Sequence, residues 1–360
     1  MAKALAGFLA AYPDRFEATF GPLGKSAAGE IHKLLACGDY KNGFKKHTCP
    51  ECGTVLIVPF TCKSRLCLSC YRKKIYGWSI HLSHLMDTSC AHFHVTFTLP
   101  GSVRERLFER GFRCEEMIKA AACTYWRELR RGAGREDREW QTGIMATVHR
   151  CGNALNYNPH VHLIGMRELV NVGTGEIRRS GFFHYRQIRF LWMDAACRLF
   201  ARQGMFSREE IAGIKKRFTN GFHVHFKPVT GEGSDVLYRT AEYLACGYFH
   251  GSQVLKVDNR RMEVTFRYKS WLDIRTQEKS YSTVTMDMYE FMARMLYFLP
   301  ARHRKMIRYY GLYAHGAGEK LEKMRRAAWA DAVLRSFNTD PRQCPDCGAA
   351  MTAETVFSRM

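Results

Sequence analysis

Two pairs of cysteines near the start of the chain constrain its fold more than any other feature. Each pair has the spacing Cys-x2-Cys, Cys49 with Cys52 and Cys67 with Cys70, and fourteen residues separate the two pairs. A two-residue gap lets both thiolates face one tetrahedral ion, and two such pairs complete a four-sulfur zinc site. We therefore predict that these four cysteines bind one structural Zn²⁺, which stabilises a small domain with little hydrophobic core.

The same segment carries potential ligands for a second zinc ion. Cys37, His47 and Cys62 lie close by in the sequence and, with one cysteine shared from a pair, they would complete another site. The alternative is that the two cysteines are small buried hydrophobic residues and that the histidine is a polar turn residue. Near the end of the chain, Cys344 and Cys347 supply only half a site, for which the sequence suggests no partner.

Basic residues surround these ligands and recur along the whole chain. Lysine and arginine number 55 against 34 aspartate and glutamate residues, a formal net charge of +21. Such an excess destabilises a compact protein unless an anionic partner relieves it, and nucleic acid is the common partner. The alternatives are a solvated basic surface or loose adhesion to acidic membranes. We predict DNA binding by the basic residues of the zinc-binding segment, which are Lys45, Lys46, Lys63, Arg65, Arg72, Lys73 and Lys74.

Two further features concern partners and compartment. Aromatic residues of the same segment, Tyr71, Tyr76 and Trp78, could stack on bases. The chain shows no run of about 18 apolar residues and no convincing secretory signal, which predicts a cytoplasmic protein without a membrane span. In that compartment the fourteen cysteines are expected to bind metal or remain thiols rather than form disulfides.

The rest of the chain mixes predicted helices with predicted strands. Alternating segments such as AHFHVTFTLP, FHVHFKPV and RMEVTFRYKSWLD predict strands, and GIMATVHR with NPHVHLIGM predicts an antiparallel hairpin. This order predicts an α+β fold. The expected units are an N-terminal helical segment (1–36), a zinc-binding domain (37–78), a larger domain (89–290) and a helical C-terminal region (291–360) that contains the last cysteine pair.

Histidines on the predicted hairpin are candidate metal ligands. His160 and His162 are separated by one residue, so both imidazoles project from the same face of the strand. His149 lies across the turn from His160, and His94 on an earlier strand is a second candidate for a third ligand. Three protein ligands leave open positions on a divalent ion, which suits the polarisation of a phosphate. From the motif alone, these histidines could equally be polar residues on the wet face of a sheet.

A predicted helix further along the chain offers a nucleophile. It carries Tyr238, Tyr243 and Tyr248, and a phenol that attacks a phosphodiester would leave a covalent phosphotyrosine and a free 3′-hydroxyl. Without other support, tyrosines on a helix are more often half-buried core residues. A second His-Val-His, at His223 and His225, lies on the preceding predicted strand. We interpret it as structural or phosphate-facing.

Several blocks, in the same order, resemble the rolling-circle insertion-sequence transposases of the IS91 type, which belong to the HUH endonuclease superfamily. The resemblance covers nearly the whole chain. Its blocks are the zinc-binding domain from Cys37 through FTCKSRLCLSC to Trp78, then FHVTFTLP, VHRCGNALNYNPHVHLI, EYLACGYFHGSQV, VTFRYKSW and MIRYYGLYA. It implies an HUH-type antiparallel sheet flanked by helices, with a small N-terminal zinc-binding domain that holds one or two Zn²⁺ ions.

The resemblance also implies a mechanism. His160 and His162 would bind a catalytic Mg²⁺ or Mn²⁺ with His149 as third ligand, and Tyr243 and Tyr248 would supply the nucleophile. The implied reaction is cleavage and rejoining of single-stranded DNA through a 5′-phosphotyrosine, which drives rolling-circle transposition. The implied partners are single-stranded or hairpin ends of the element and target DNA.

Three positions depart from the family pattern. Asn158 stands where similar sequences have histidine, and Gly251 stands where they have arginine. Tyr243 and Tyr248 are five residues apart rather than four, so on a regular helix they would point about 140° apart. Either the helix is bulged or only one tyrosine acts as the nucleophile.

Two other functions stay open: a related replication initiator or relaxase, and a non-catalytic zinc-finger DNA-binding protein derived from a transposase.

Overall fold

The computed structural model describes residues 2–86, 90–135, 139–179, 184–229, 249, 251–272, 278–299, 305–314 and 340–356. Within these ranges the structure contains α-helices and strands, and the strands form four antiparallel sheets. This arrangement confirms the predicted α+β class. No helix in these ranges is long and apolar enough to cross a membrane.

Three short helices begin the chain, as the helical spacing of its apolar residues predicts. They are α1 (Ala2–Ala11), α2 (Pro13–Phe20) and α3 (Lys25–Leu35). Pro13 opens α2, a position where its missing N–H removes no helical hydrogen bond. After α3 the chain turns at Cys37 and enters the cysteine-rich segment.

The cysteine-rich segment folds as a small sheet followed by a helix. Strands β1 (Phe44–Thr48) and β2 (Val55–Pro59) form an antiparallel hairpin, and β14 (Thr352–Val356), from the other end of the chain, pairs with β1. The helix α4 (Leu68–Leu85) begins directly after Cys67. Neither α4 nor β14 was predicted from the sequence.

The central sheet has five strands in the order β13-β5-β6-β3-β9, and every neighbouring pair is antiparallel. The pairing of β5 with β6 confirms the predicted hairpin. In chain order the strands are β3 (His92–Phe97), β5 (Gly143–Cys151), β6 (Tyr157–Met166), β9 (Val224–Val229) and β13 (Ile307–Gly311).

Helices cover one face of the central sheet. Apolar residues such as Phe97 and Leu163 point from that face into a core that also contains Tyr125 and Trp192. A Cβ atom at Gly165 would lie 2.4 Å from the Tyr125 ring, so glycine is needed for this close packing. The covering helices are α5 (Gly101–Glu109), α6 (Met117–Gly132), α7 (Tyr185–Arg202) and α8 (Arg208–Arg217).

A second core joins the N-terminal helices to a later sheet. That core contains Leu9 and Phe16 together with Phe266 and Phe291, and it includes Cys67. Its sheet comprises β10 (Val254–Asp258), β11 (Glu263–Leu272) and β12 (Lys279–Asp287), and α9 (Met288–Tyr297) follows. A fourth small sheet contains β4 (Trp140–Gln141), β7 (Glu168–Asn171) and β8 (Ile177–Arg179).

The C-terminal region contains more strand than the sequence predicts. In its described part, α9 ends at Tyr297, after which β13 joins the central sheet and β14 joins the cysteine-rich sheet. The predicted helical content of residues 315–339 lies outside the described residues. The C-terminal segment therefore contributes to two sheets that begin much earlier in the chain.

Candidate functional site

Three histidines meet on the face of the central sheet that the helices α5 to α8 do not cover. In the register of β5 and β6, His149 lies opposite His160, and His162 lies two residues further along β6 on the same face. One ring nitrogen from each of the three lies within 4.8 Å of the other two. The structure thus brings together the three histidines predicted to bind the catalytic ion.

Neighbouring groups fix the orientation of two of these rings. The Nδ1 atom of His160 lies 2.6 Å from the carbonyl oxygen of Asn158 and donates to it, which leaves Nε2 as the atom with a lone pair. The Nδ1 atom of His162 lies 3.1 Å from Nε2 of His94 and 3.2 Å from Oγ1 of Thr96. His94, the second candidate for a third ligand, therefore contacts His162 and is not part of the triplet.

Burial favours the uncharged form of the His160, His162 and His94 imidazoles. Desolvation lowers the pKa of His160, and the pKa of His162 lies well below its usual range because of burial and the neighbouring histidines. Burial also lowers the pKa of His94 to about 4. Neutral imidazole is the form that binds metal, so the donor set of His149, His160 and His162 fits a divalent ion. Mg²⁺, which prefers oxygen, would take its remaining ligands from phosphate and water.

The buried histidines predict a pH-dependent stability. A histidine with a folded pKa below its unfolded value of 6.5 stabilises the fold fully above that pH, and the contribution is lost as the pH falls toward the folded pKa. For His94, whose folded pKa is about 4, the loss between pH 7.5 and pH 5 is about 2 kcal/mol. Urea unfolding without added divalent ion should therefore show a smaller pH effect in His94→Gln. An equal loss of unfolding free energy between pH 7.5 and pH 5 in the wild type and in His94→Gln would contradict this prediction.

The cysteines form two clusters, and their membership differs from the predicted grouping. The first contains Cys37, Cys62, Cys67 and Cys70. Its Cys37 sulfur lies 3.6 Å from that of Cys67 and 3.7 Å from that of Cys70. A tetrahedral zinc ion with Zn–S bonds of about 2.3 Å requires sulfur–sulfur distances of about 3.8 Å. The geometry of this cluster therefore fits a structural zinc.

The second cluster contains Cys49 and Cys52 with Cys344 and Cys347. The prediction of a single site made from Cys49, Cys52, Cys67 and Cys70 is therefore wrong. The reason is the β1–β2 hairpin, in which Cys49 and Cys52 form the tip while Cys37 and Cys62 flank its base. The five residues of β2 span about 17 Å, which is too far for both pairs to reach one ion.

His47 does not belong to either cluster among the described residues. It lies in β1 and is buried, and this burial lowers its pKa. The predicted ligands Cys37 and Cys62 therefore cluster with Cys67 and Cys70 rather than with the histidine. Cys344 and Cys347, for which the sequence suggested no partner, cluster with Cys49 and Cys52. The signal that could have paired them is the likeness of CPECG, from Cys49, to CPDCG, from Cys344.

The predicted DNA-binding residues are not equivalent in the structure. Arg65 lies 3.4 Å from the carboxylate of Glu30, which is buried and also accepts a 2.7 Å hydrogen bond from the backbone N–H of Arg65. This arginine therefore joins α3 to the cysteine-rich segment, and we no longer assign it to DNA. Lys63, Arg72 and Lys74 are exposed. The other three predicted contacts, Lys45, Lys46 and Lys73, are partly exposed.

The three aromatic residues predicted to stack on bases also differ in their exposure to solvent. Tyr76 is only 8% exposed, so its ring is not available to stack on a base. Trp78 is partly exposed, and the Lys74 ammonium lies 5.0 Å from the centre of its ring. Tyr71 is also partly exposed.

The predicted nucleophiles, Tyr243 and Tyr248, lie outside the described residues. The next described residue, Phe249, is buried and contacts Phe266 and Phe291, with ring centres 5.3 and 5.4 Å apart. The histidines of the second His-Val-His are exposed and lie outside the triplet. His223 directly precedes β9, and His225, on β9, pairs with Thr96 of β3. Their interpretation as structural or phosphate-facing residues stays a prediction.

Comparisons with known proteins agree with these features. The family described as "Transposase zinc-binding domain" matches residues 8–99, and the family described as "Putative transposase" matches residues 143–320. A curated relative, the transposase for insertion sequence element IS801 of Pseudomonas savastanoi pv. phaseolicola, is 26% identical over 363 residues, which cover 91% of this chain and 83% of the relative. No solved structure gave a significant match. The two families and the relative account for most of the chain, which belongs to the IS91-type transposases.

Proposed function

We propose that this transposase cleaves and rejoins single-stranded DNA with a divalent metal ion and a tyrosine nucleophile, and so drives rolling-circle transposition. The observation that carries the proposal is the triplet of His149, His160 and His162 on the central sheet. Its donor nitrogens converge, two of its rings are oriented by hydrogen bonds, and burial keeps those two neutral. Removing imidazoles from water costs solvation free energy, which a bound ion would offset.

The residues of the site have separate roles in this proposal. His149, His160 and His162 would hold Mg²⁺ or Mn²⁺, which when bound supplies Lewis-acid polarisation of the scissile phosphodiester. His94 and the Asn158 carbonyl act as positioning groups, because their hydrogen bonds set the rings of His162 and His160.

The guanidinium of Arg104, on α5, donates a hydrogen bond to the side-chain oxygen of Asn158. It therefore places a positive charge beside the site, which suits an anionic strand. Arg104 also supports the segment of β6 that carries the ligands.

The tyrosine performs the covalent step. The phenol oxygen of Tyr243 or Tyr248 attacks the phosphorus, the phosphorus–O3′ bond breaks, and the upstream strand leaves with a 3′-hydroxyl. The downstream strand stays attached through a 5′-phosphotyrosine, which conserves the energy of the broken bond. A later 3′-hydroxyl can then attack this linkage and rejoin the DNA without ATP.

Two other functions share part of this description. A replication initiator or relaxase would use the same chemistry on a plasmid, but the match to a transposase zinc-binding domain favours transposition. A non-catalytic zinc-finger protein would bind DNA through the same positive charge. Binding measurements cannot separate these functions, whereas cleavage separates the enzyme from the binding protein.

A cleavage assay with two end labels tests the proposal. The purified protein is incubated with Mn²⁺ and single strands from the element's ends, labelled at the 5′ or the 3′ end, and the products are resolved on denaturing gels. We expect the 5′-labelled piece to be released and the 3′-labelled piece to migrate with the protein. Intact strands, from protein that still holds zinc and binds DNA, would favour the non-catalytic alternative.

A further inference from the structure

The two ends of the chain meet at the second cysteine cluster. The sulfur of Cys49 lies 3.5 Å from that of Cys347, and the sulfur of Cys52 lies 3.4 Å from that of Cys344. All four sulfurs lie within 4.8 Å of one another. These separations exceed the disulfide bond length of about 2.05 Å and approach the edge of a zinc tetrahedron, about 3.8 Å.

The backbones of the two pairs have the same conformation. Cys49 N–H donates to the Thr54 carbonyl at 2.8 Å, and Gly53 N–H donates to the Cys49 carbonyl at 3.0 Å. The second pair repeats this turn, with Cys344 N–H donating to the Ala349 carbonyl at 2.8 Å and Gly348 N–H to the Cys344 carbonyl at 2.9 Å.

A glycine closes each of these turns. Gly53 and Gly348 have φ values of 73° and 74°, a left-handed conformation that favours glycine. Each pair is therefore folded independently into the same turn, in which both thiolates can face a common ion.

Contacts outside the cysteines hold the two turns together. Strand β14 pairs with β1 along its whole length, from Phe44 opposite Val356 to Thr48 opposite Thr352. The Thr54 hydroxyl donates to the carboxylate of Asp346 at 2.7 Å, directly between the two turns. The second cysteine cluster therefore lies at the end of a paired β1–β14 interface, and backbone and side-chain hydrogen bonds hold its two halves together.

We propose that Cys49, Cys52, Cys344 and Cys347 form a second structural zinc site that joins the C-terminal segment to the N-terminal zinc-binding domain. The C-terminal ligands lie beyond both family matches, which end at residues 99 and 320. One ion then closes the chain between cysteines 292 residues apart, such as Cys52 and Cys344. The sheet that carries Lys45 and Lys46 is complete only when the C-terminal segment is present.

The two zinc sites should differ in accessibility. In the second cluster, Cys52 and Cys347 are exposed, whereas in the first cluster Cys67 and Cys70 are buried within the second core. A chelator should therefore remove the zinc of the second cluster first. A partial loss of zinc would release the C-terminal strand and leave the first site in place.

Zinc counting on the full-length protein tests this proposal. Native mass spectrometry and elemental analysis should find two zinc ions per chain in the wild type, one in Cys344→Ser/Cys347→Ser, and one in Cys37→Ser/Cys62→Ser. Cys123→Ser, an exposed cysteine outside both clusters, is the matched control and should retain two. Cys347→His, which keeps a zinc-binding side chain, should also retain two.

Several results would overturn the proposal. These are a wild-type count of one, which does not depend on the folding of any variant, and a count of two in Cys344→Ser/Cys347→Ser. Zinc X-ray absorption of His160→Ala/His162→Ala, in which the histidine triplet cannot hold zinc, should show four sulfur ligands per ion, and a mixed sulfur and nitrogen shell in that variant would also contradict the proposal. None of these readouts depends on DNA cleavage, so failure of the catalytic proposal would leave this one intact.

Discussion

Replacing His160 or His162 with alanine should lower the rate of single-strand cleavage by about a thousandfold, while DNA affinity changes by less than about threefold. Each side chain supplies a nitrogen to the triplet, and loss of a ligand removes several kcal/mol of charge stabilisation at the phosphate. At about 1.4 kcal/mol per factor of ten, that loss corresponds to the stated decrease. DNA affinity should persist because it comes from the basic surface.

A matched histidine separates this effect from a general loss of structure. His223 belongs to the other His-Val-His, directly precedes β9 of the same sheet and is exposed outside the triplet. His223→Ala should cleave at nearly the wild-type rate and bind Mn²⁺ normally in electron paramagnetic resonance titrations. His160→Ala and His162→Ala should bind Mn²⁺ weakly. Wild-type cleavage by either of these two variants would contradict the metal assignment.

Replacing the nucleophilic tyrosine with phenylalanine should abolish the covalent adduct. The substitution keeps the aromatic ring and removes only the phenol oxygen, so the fold and DNA affinity should be unchanged. Because Tyr248 lies five positions after Tyr243, the two side chains would point about 140° apart on a regular helix, and only one could face a given phosphate. We therefore expect one of the two single variants to lose the adduct by at least about a thousandfold and the other to retain it.

Tyr238→Phe is the control for this comparison, because it lies on the same predicted helix and outside the family motif. It should form the adduct at the wild-type rate. If Tyr243→Phe and Tyr248→Phe both form the adduct, and the double variant does too, another residue is the nucleophile. If each single variant reduces the adduct, the helix is irregular and both tyrosines act.

The parts of the site that lie close together in sequence could be predicted. The alternation of side chains along β6 places His160 and His162 on one face, and a short turn places His149 opposite His160. These relations are local, since a hairpin fixes its own register. The orienting contact of His94 with His162 depends on the pairing of β3 with β6, which joins residues far apart in sequence.

The grouping of the cysteines could not be predicted correctly, because it depends on contacts between residues far apart in the sequence. Spacing alone grouped Cys49 and Cys52 with Cys67 and Cys70, because it ignores the length of the strand between the pairs. The approach of Cys344 to Cys52 depends on the pairing of β14 with β1, which joins residues about 300 positions apart and does not follow from spacing. Likewise, Arg65 lies among basic residues in the sequence, but in the structure its guanidinium pairs with the buried carboxylate of Glu30.

The most direct test of the central claim is the intact mass of the protein after incubation with Mn²⁺ and a single-stranded oligonucleotide from an element end. We expect a species heavier by the downstream part of the strand with its 5′-phosphoryl group. Peptide mapping should place that mass on Tyr243 or Tyr248. Cleaved DNA beside protein of unchanged mass would mean that water, not tyrosine, attacks the phosphate, and would contradict the account.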